Sequence, residues 1–294
     1  MRSDSKLKEI VKERYAQIAE QGKGEIAASC CGTTTPSNKV YSIMMDDYSA
    51  IEGYVSDADL GLGCGLPTQF ARISKGDTVI DLGSGAGNDC FVARHETGPE
   101  GKIIGIDFTP AMINKARKNA EKLAFHNVEF REGDIDEMPV NDAVADVVVS
   151  NCVLNLVPDK AKVMVEIFRV LKPGGHFSIS DIVLVGELPS ALREDAEMYA
   201  GCVAGAIQKK EYLDQIEKAG FKNILIQKIK PIAIPADILA KYLSGDEVSA
   251  FNIGKTGIFS ISVYGEKPGS KMDTVQLGST KVKENDCKPT PRCC

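Results

Sequence analysis

The sequence lacks the long apolar runs and the excess of basic charge that mark several classes of protein. No stretch approaches the roughly 18 consecutive apolar residues of a membrane-spanning helix. Residues 1–25 lack the apolar centre of an export signal and are too acidic for a typical transit peptide. Acidic residues outnumber basic ones by 41 to 35, whereas nucleic-acid binders usually carry a basic stripe. We therefore expect a cytoplasmic protein, monomeric by default, that binds neither membranes nor nucleic acids.

Histidine is also scarce, with three in the chain, whereas cysteine occurs nine times. An odd number of cysteines in a long chain without an export signal argues against a secreted disulfide framework. Cys64, Cys152 and Cys202 have neither the Cys-x-x-Cys spacing nor the nearby histidines of a zinc site. Thiolates gathered from three distant segments suit a soft ion with few ligands. The cysteines therefore indicate redox, metal or metalloid chemistry.

From Asp77 onward, apolar runs alternate with helical patterns. "TVIDL", "KIIGID", "VEF", "ADVVVSN" and "HFSISDIVLV" are predicted strands, and "KAKVMVEIFRV" is one of the predicted helices between them. This order predicts an α/β fold with a doubly wound, mostly parallel sheet that is covered on both faces. The later segments "NILIQKIKPIAIP" and "TGIFSISVYGEK" are predicted strands that either close this sheet or form a small antiparallel layer.

These patterns divide the chain into four predicted parts. Residues 1–75 carry an amphipathic surface helix and a turn-rich segment with thiols, and residues 76–185 form a cofactor-binding domain. Residues 186–268 form a C-terminal α+β portion. Residues 269–294 lack a periodic apolar face, and we expect them to be a mobile tail that carries Cys287, Cys293 and Cys294.

The stretch "DLGSGAGND" follows the first predicted strand and opens a helix, as a ligand-binding glycine loop does. Gly83, Gly85 and Gly87 allow a tight turn and a close approach of the backbone to a ligand. Asn88 stands where a dinucleotide-binding loop needs a small third residue, so a nicotinamide dinucleotide is the weaker of two candidate cofactors. Asp81 would repel a pyrophosphate but would attract a cofactor that carries a cationic amino group.

Acidic residues also follow the second and third predicted strands. Asp107 is suited to accept hydrogen bonds from two ribose hydroxyls, and Asp134 to accept one from an adenine amino group. Asn151 ends the fourth strand and is a further candidate cofactor contact. Together these residues describe a nucleoside site at one edge of the sheet, which resembles that of the S-adenosylmethionine-dependent methyltransferases. Cys152 follows the fourth strand and should face the methyl group of such a cofactor.

Seven segments together resemble one family, the arsenite methyltransferases, across about residues 29–265. They are "CCG", "GYVSDADLGLGCGLPT", "DLGSGAGND", "GIDFTPAMINKAR", "VVVSNCVLNL", "LKPGGHFSISDIV" and "YAGCVAGA". The glycine loop alone would indicate only the superfamily, but the joint match is specific. The resemblance implies methyl transfer from S-adenosylmethionine to thiol-bound trivalent arsenic. The substrates would be arsenite and methylarsenite, the products would be mono- and dimethylated arsenicals, and the role would be arsenic detoxification.

The resemblance also implies which thiols act. It assigns arsenic binding to Cys152 and Cys202, with Cys64 as a third ligand that works with a partner nearer the N-terminus. Cys31 is favoured as that partner because it directly precedes Gly32 in the matched element, and Cys30 is the alternative. In the segment that would contact adenine, the backbone of Ile135 could act beside Asp134. The tail cysteines lie outside the match, either as a thiol arm that hands over arsenic or as incidental thiols.

Arsenic bound by thiolates has a lone pair and no proton to remove, so the implied reaction needs positioning rather than a general base. If pentavalent arsenic forms, Cys31 and Cys64 could reduce it by becoming a disulfide, and glutathione or thioredoxin would then reset the pair. Two rival functions remain open at this point. One is methylation of a small organic substrate with the cysteines as bystanders, and the other is sequestration of metalloid without catalysis.

Overall fold

The computed structural model describes residues 8–9, 11–20, 46–187, 203, 205–232, 245 and 257–269. Its helices are α1 (residues 11–20), α2 (Pro67–Phe70), α3 (Asn88–Thr97), α4 (Pro110–Lys122), α5 (Lys160–Val170) and α6 (Lys209–Lys218). Its strands are β1 (Thr78–Leu82), β2 (Lys102–Asp107), β3 (Val128–Glu132), β4 (Ala145–Asn151), β5 (Leu171–Val185), β6 (Lys222–Pro231) and β7 (Gly257–Glu266). A short 3₁₀ helix spans Leu154–Leu156.

The seven strands form one sheet in the order β3-β2-β1-β4-β5-β7-β6. The pairs from β3 to β5 are parallel, and β7 runs antiparallel to both of its neighbours, β5 and β6. The predicted fold class, a doubly wound and mostly parallel α/β sheet, is therefore confirmed. The two late strands extend this same sheet rather than forming a separate layer. The four-part domain division stays a prediction.

The strands are apolar on both faces because helices cover both sides of the sheet. Consecutive side chains of a strand point to opposite faces, and Val79 and Ile80 of β1 accordingly belong to two different clusters of buried residues. The Val79 cluster holds Phe91 from α3 and Met112 from α4, and the Ile80 cluster holds Ile167 from α5. Each helix thus buries one apolar face against the sheet.

The helices begin at residues suited to starting them. Pro110 occupies the first turn of α4, where a missing amide hydrogen costs nothing. Asp159 caps α5, and its Oδ1 accepts a hydrogen bond of 3.1 Å from the backbone N–H of Lys162.

Near the N-terminus, α1 packs Tyr15 and Ala19 against the Val79 cluster. The predicted N-terminal helix is thus observed over residues 11–20.

The carboxyl ends of β1, β2 and β4 lie side by side. Leu82 in β1 is in register with Ile106 in β2 and with Ser150 in β4. The chain order reverses between β1 and β4, and ligands of doubly wound sheets bind in the crevice at such a reversal. Among the described helices, no span is long and apolar enough to cross a membrane.

Candidate active site

A cavity of about 1060 Å³, including its open mouth, lies at the carboxyl ends of β1, β2 and β4. The predicted site residues that line it are Asp81, Gly83, Gly85, Asp107, Asp134, Asn151 and Cys152. Apolar side chains such as Leu60, Met112 and Ile135 complete the wall. Most of the site residues proposed from the sequence are therefore brought to one cavity, although they come from four different strands and loops.

The glycine loop between β1 and α3 has the left-handed backbone that its sequence predicts. Gly83 has φ +65°, and a Cβ atom there would lie 2.4 Å from a side-chain carbon of Val153. Gly87 has φ +99° and caps α3 rather than lining the cavity, and a Cβ atom there would lie 2.9 Å from the rings of Phe91 and Phe130. Glycine is required at both positions, but for different reasons. At Gly83 the backbone approaches Val153 closely at the cavity wall, and at Gly87 the start of α3 packs closely on two aromatic rings.

Asp107 is buried, and backbone amides hold its carboxylate. Its Oδ2 accepts from the N–H of Gly85 at 3.0 Å and its Oδ1 accepts from the N–H of Thr109 at 2.8 Å. Burial raises the pKa of Asp107, while these two hydrogen bonds oppose the rise. The carboxylate is thus fixed at the cavity wall, where the sequence predicts a ribose contact.

Asp81 and Asp89 are two further buried carboxylates at this wall. Burial and then the nearby Asp89 raise the pKa of Asp81 well above its usual value, although a hydrogen bond from the Cys90 thiol opposes the shift. Burial raises the pKa of Asp89 to about 6, against hydrogen bonds from Tyr48 and Asn151. A cation bound beside these groups would offset the cost of burying their charge.

Asp134 lies at the mouth of the cavity, where its side chain is 48% exposed. Its Oδ1 is 3.2 Å from the Nζ of Lys8, which is also 3.4 Å from Asp136. Lys8 and Tyr15 belong to the N-terminal part of the chain and line the same cavity. The sequence predicts only a surface helix here, because nothing in its pattern indicates which cavity it borders.

Asn151 is the centre of a hydrogen-bond network that is not apparent from the sequence. Its Nδ2 donates to the Tyr48 hydroxyl at 2.6 Å and lies 3.2 Å from Asp89 Oδ2, and the Tyr48 hydroxyl donates to Asp89 Oδ1 at 2.8 Å. Asp89 could have been noticed as the last residue of "DLGSGAGND". Tyr48 is 103 positions from Asn151 and carries no local signal.

Two of the predicted arsenic ligands lie in one cluster of buried residues. Cys152 lines the cavity, has φ +62° and donates its backbone N–H to the carbonyl of Ser180 at 2.7 Å. Cys64 is fully buried in the same cluster, and neither thiol is in a disulfide. Val203, which follows Cys202 in sequence, also belongs to this cluster. Cys202 itself lies outside the described residues.

The remaining cysteines divide into two groups. Cys90 is fully buried behind the glycine loop and donates its thiol to Asp81 Oδ2 at 3.2 Å. Burial, followed by Asp81, raises the pKa of Cys90 well above its usual value, so this thiol stays protonated. Those outside the described residues are Cys30, Cys31, Cys287, Cys293 and Cys294. Within residues 8–269 as far as they are described, no group of three His, Cys, Asp or Glu side chains could hold a metal ion.

A buried polar group that is not apparent from the sequence lies near the two thiols. Asp181 in β5 accepts hydrogen bonds from Asn155 Nδ2 at 2.8 Å and from the Tyr212 hydroxyl at 3.4 Å. Burial raises the pKa of Asp181 to about 7. The pKa of Tyr212 is raised by burial, then by Asp181, and also by Cys64 and Cys152. The thiols therefore adjoin a region of buried titratable groups.

The fold and the cavity define the class of protein. A glycine loop after the first strand, an acid at the end of the second and a cavity at the reversal of strand order are the features of a doubly wound, nucleoside-binding α/β protein. A family model described as "Methyltransferase domain" matches residues 73–220, half of the chain. The class is therefore that of methyltransferases with this fold.

Comparison with individual proteins narrows this class. The chain is 42% identical to an arsenite methyltransferase from Halobacterium salinarum over 76% of its own length, and 31% identical to one from Aquipseudomonas alcaligenes over 81%. It also resembles the crystal structure of CrArsM, an arsenic (III) S-adenosylmethionine methyltransferase from Chlamydomonas reinhardtii, with a TM-score of 0.60 and 28% identity over 81% of this chain and 76% of that one.

The chain belongs to the arsenite methyltransferase family. This follows from the A. alcaligenes relative, of which the match covers 68%. The match covers 60% of the H. salinarum relative, so the chain spans little more than half of that protein. The resemblance noted in the sequence is confirmed at the level of the family.

Proposed function

We propose that this protein transfers methyl groups from S-adenosylmethionine to thiol-bound trivalent arsenic, giving mono- and dimethylated products. The observation that carries the proposal is the position of Cys152. Cys152 lines the cavity at the end of β4, and it shares a buried cluster with Cys64, which comes from a distant loop. A thiol of this kind is a ligand for a soft metalloid and has no obvious use in methylating an organic oxygen or nitrogen.

The cavity suits the proposed cofactor. S-adenosylmethionine carries a sulfonium and an ammonium group, and it supplies an electrophilic methyl group when bound. Asp81, Asp89 and Asp107 are buried around the cavity with raised pKa values, so positive charge placed among them is favoured. We assign Asp107 to the ribose hydroxyls and Asp134 to the adenine amino group. Gly83 and Gly85 bring the backbone close to the ligand.

The residues of this chain contribute mainly by binding and orienting the substrate. Cys152, Cys202 and Cys64 would hold trivalent arsenic as thiolates, which leaves its lone pair available and requires no general base. The apolar neighbours of Cys64 and Cys152, such as Ile182 and Leu184, exclude water from the thiols. Catalysis then depends on how accurately the three thiol-bearing segments are held next to the cofactor cavity.

The remaining parts of the proposal concern partners and redox chemistry. If methyl transfer leaves arsenic pentavalent, Cys64 and Cys31 would reduce it to the trivalent state by becoming a disulfide, with Cys30 as the alternative partner. Glutathione or thioredoxin would then reduce that disulfide. A cytoplasmic location and a monomeric state stay predictions. The tail cysteines are candidates for a thiol arm that hands over arsenic.

One assay separates the proposed function from its rivals. The protein is incubated with S-adenosylmethionine, arsenite and glutathione, and arsenic species are separated by chromatography with element-specific detection. Methylated arsenic supports the proposal, and a Cys152→Ser variant should produce none while its cofactor affinity is unchanged. Arsenite binding without methylated product would instead indicate sequestration. If neither binding nor product occurs, an organic substrate becomes the better explanation.

A further inference from the structure

The side chain of Asn151 holds the loop that carries Cys64. Its Oδ1 accepts the backbone N–H of Cys64 at 3.0 Å, and its Nδ2 donates to the carbonyl of Gly65 at 2.9 Å. The carboxamide thus satisfies one donor and one acceptor of the loop at once, as a neighbouring strand would. Because a backbone N–H can only donate, the atom that faces it must be the amide oxygen, which fixes the orientation of the carboxamide.

Tyr48 and Asp89 lock this orientation from the opposite side. The Nδ2 of Asn151 contacts both of them, and the Tyr48 hydroxyl also reaches the Gly65 carbonyl at 3.2 Å. The side chains of Tyr48 and Asp89 are buried in the cavity wall. The loop also packs closely on the amide, because a Cβ atom at Gly63 would lie 2.6 Å from Asn151 Nδ2.

The Asn151 side chain is also connected to Cys152, through the backbone. Asn151 directly precedes Cys152, whose backbone N–H is held by the Ser180 carbonyl of β5. On the other loop, the carbonyl of Cys64 accepts a hydrogen bond of 2.6 Å from the hydroxyl of Ser260 in β7. One side chain therefore spans the gap between the two loops that carry Cys64 and Cys152.

We propose that Asn151 is a positioning residue for methyl transfer, which holds Cys64 at a fixed place relative to Cys152, and that Tyr48 and Asp89 lock its carboxamide. This inference rests on the proposed function, because it takes both thiols as arsenic ligands. Asparagine supplies both the acceptor and the donor, whereas aspartate has no donor for the Gly65 carbonyl and would face Asp89, and alanine reaches neither group. Asn151 accordingly acts through Cys64 and not on the reacting atoms.

A double-mutant cycle tests this dependence. We expect Asn151→Ala to lower kcat/KM for arsenite by roughly tenfold, which corresponds to two ordinary hydrogen bonds. Adding the same change to Cys64→Ser should lower kcat/KM less than about twofold further, because the residue through which Asn151 acts is already disabled. Independent losses that multiply in the double variant would overturn the proposal.

Asn127→Ala is the matched control. Its amide also bridges backbone groups, since it donates to the carbonyls of Gly98 at 3.1 Å and Gly101 at 2.8 Å, but it lies away from the cavity. This variant should lose stability without a change in kcat/KM. Tyr48→Phe keeps the ring and removes the hydroxyl, so its loss of kcat/KM should be smaller than that of Asn151→Ala and should also vanish in the Cys64→Ser background.

A measurement without arsenic keeps the inference testable if the proposed function fails. The rate at which iodoacetamide alkylates Cys64, followed by mass spectrometry of the folded protein, should increase in Asn151→Ala and in Tyr48→Phe but not in Asn127→Ala. An unchanged alkylation rate would refute the positioning role whatever the kinetics show. Increased alkylation in a protein that methylates no arsenic would refute the proposed function and leave the holding of the Cys64 loop established.

Discussion

Cys90 and Cys152 are both buried thiols, yet their surroundings give them different chemistry. Cys90 faces a carboxylate, Asp81, which together with burial opposes loss of its proton. Cys152 lies at the cavity wall, and its left-handed backbone places it at the turn that leaves β4. Such a φ angle is uncommon for a residue with a side chain. Position at a strand end, rather than burial, therefore separates the candidate arsenic ligand from the core cysteine.

Replacing Cys64 with serine should separate the two methylation steps. Inorganic arsenite can use three thiolates, but methylarsenite has one valence filled by carbon, so two thiolates suffice to bind it. We expect Cys64→Ser to slow methylation of arsenite by more than about tenfold, or roughly 1.4 kcal/mol in activation free energy, and to spare methylarsenite. Parallel rate measurements on the two substrates check this, and equal effects on both would contradict the assigned role.

Replacing Asp107 with alanine should weaken cofactor binding alone. The variant loses the carboxylate that we assign to the ribose, and a hydrogen bond involving a charged group contributes about 1.5–3 kcal/mol, or roughly ten- to a hundredfold in affinity. Calorimetric titration with S-adenosylmethionine measures this, and arsenite binding should stay unchanged. Asp142→Ala is the control, since Asp142 is exposed and pairs with Arg169 away from the cavity. Equal affinity of the Asp107 variant and the wild type would refute the assignment.

At the scale of elements, β5 combines two roles in the site. Its backbone holds Cys152 through the carbonyl of Ser180, while Asp181, the next residue, lies on the opposite side among Asn155, Tyr212 and the neighbouring charge of Lys160. Burial of a carboxyl group is costly unless it is protonated or paired. The pKa of Asp181 is about 7, which indicates that protonation of the carboxyl group avoids part of this cost. β5 is therefore a source of pH-dependent stability.

Asp181 should make the folded protein less stable as pH rises from about 4 to 7. The folded state keeps a proton on Asp181 up to about pH 7, whereas the unfolded chain releases it near 3.8. The unfolded state thus binds fewer protons in this range, and the free energy of unfolding falls by up to about 1.4 kcal/mol per pH unit. Asp181→Asn resembles the protonated acid and should remove this contribution.

Denaturant unfolding at a series of pH values measures the effect. The quantity to compare is the variant's free energy of unfolding minus that of the wild type, because Asp89, with a pKa of about 6, adds a slope of the same sign to both proteins. This difference should grow with pH up to about 7 and then level off. A difference that is constant between pH 4 and 7 would show that Asp181 is ionised in the folded protein.

At the scale of the whole molecule, the sheet joins the cofactor cavity to the thiol cluster. The lining of the cavity comes from residues between Lys8 and Val157, whereas the thiol cluster also draws Ile182 from β5 and Ile258 from β7. β7 is paired with β5 along ten positions and with β6 on its other side. Removal of β7 would therefore expose both neighbours and the loop that Ser260 holds.

Two truncations test whether β7 and the residues that follow it are needed for the fold. A chain that ends after residue 256 lacks β7, and we expect it to lose cooperative unfolding and to bind hydrophobic dye. A chain that ends after Gly269 retains the seven strands and removes Cys287, Cys293 and Cys294. It should bind S-adenosylmethionine with the affinity of the full chain. Cooperative unfolding of the shorter chain would show that β7 is dispensable to the fold.

The sequence predicted the parts of the site that lie at strand ends. Asp81, Asp107 and Cys152 could be found because each follows an apolar run, and the carboxyl ends of parallel strands meet at one edge. The partners of Asn151 could not be found in this way, because Tyr48 is 103 positions away and no local sequence pattern indicates a network of side-chain hydrogen bonds. The place of β7 between β5 and β6 was equally hidden, because the apolar pattern of a strand does not specify which strands it pairs with.

The position of β7 also sets an order of assembly during protein synthesis. β7 follows β5 and β6 in sequence but is inserted between them. Contacts between distant parts of a chain form late because they must wait for the intervening residues. On the ribosome, the segments that line the cofactor cavity emerge before the strand that supports Cys64. A newly made chain would therefore complete the wall of its cavity first and the cluster around Cys64 and Cys152 last.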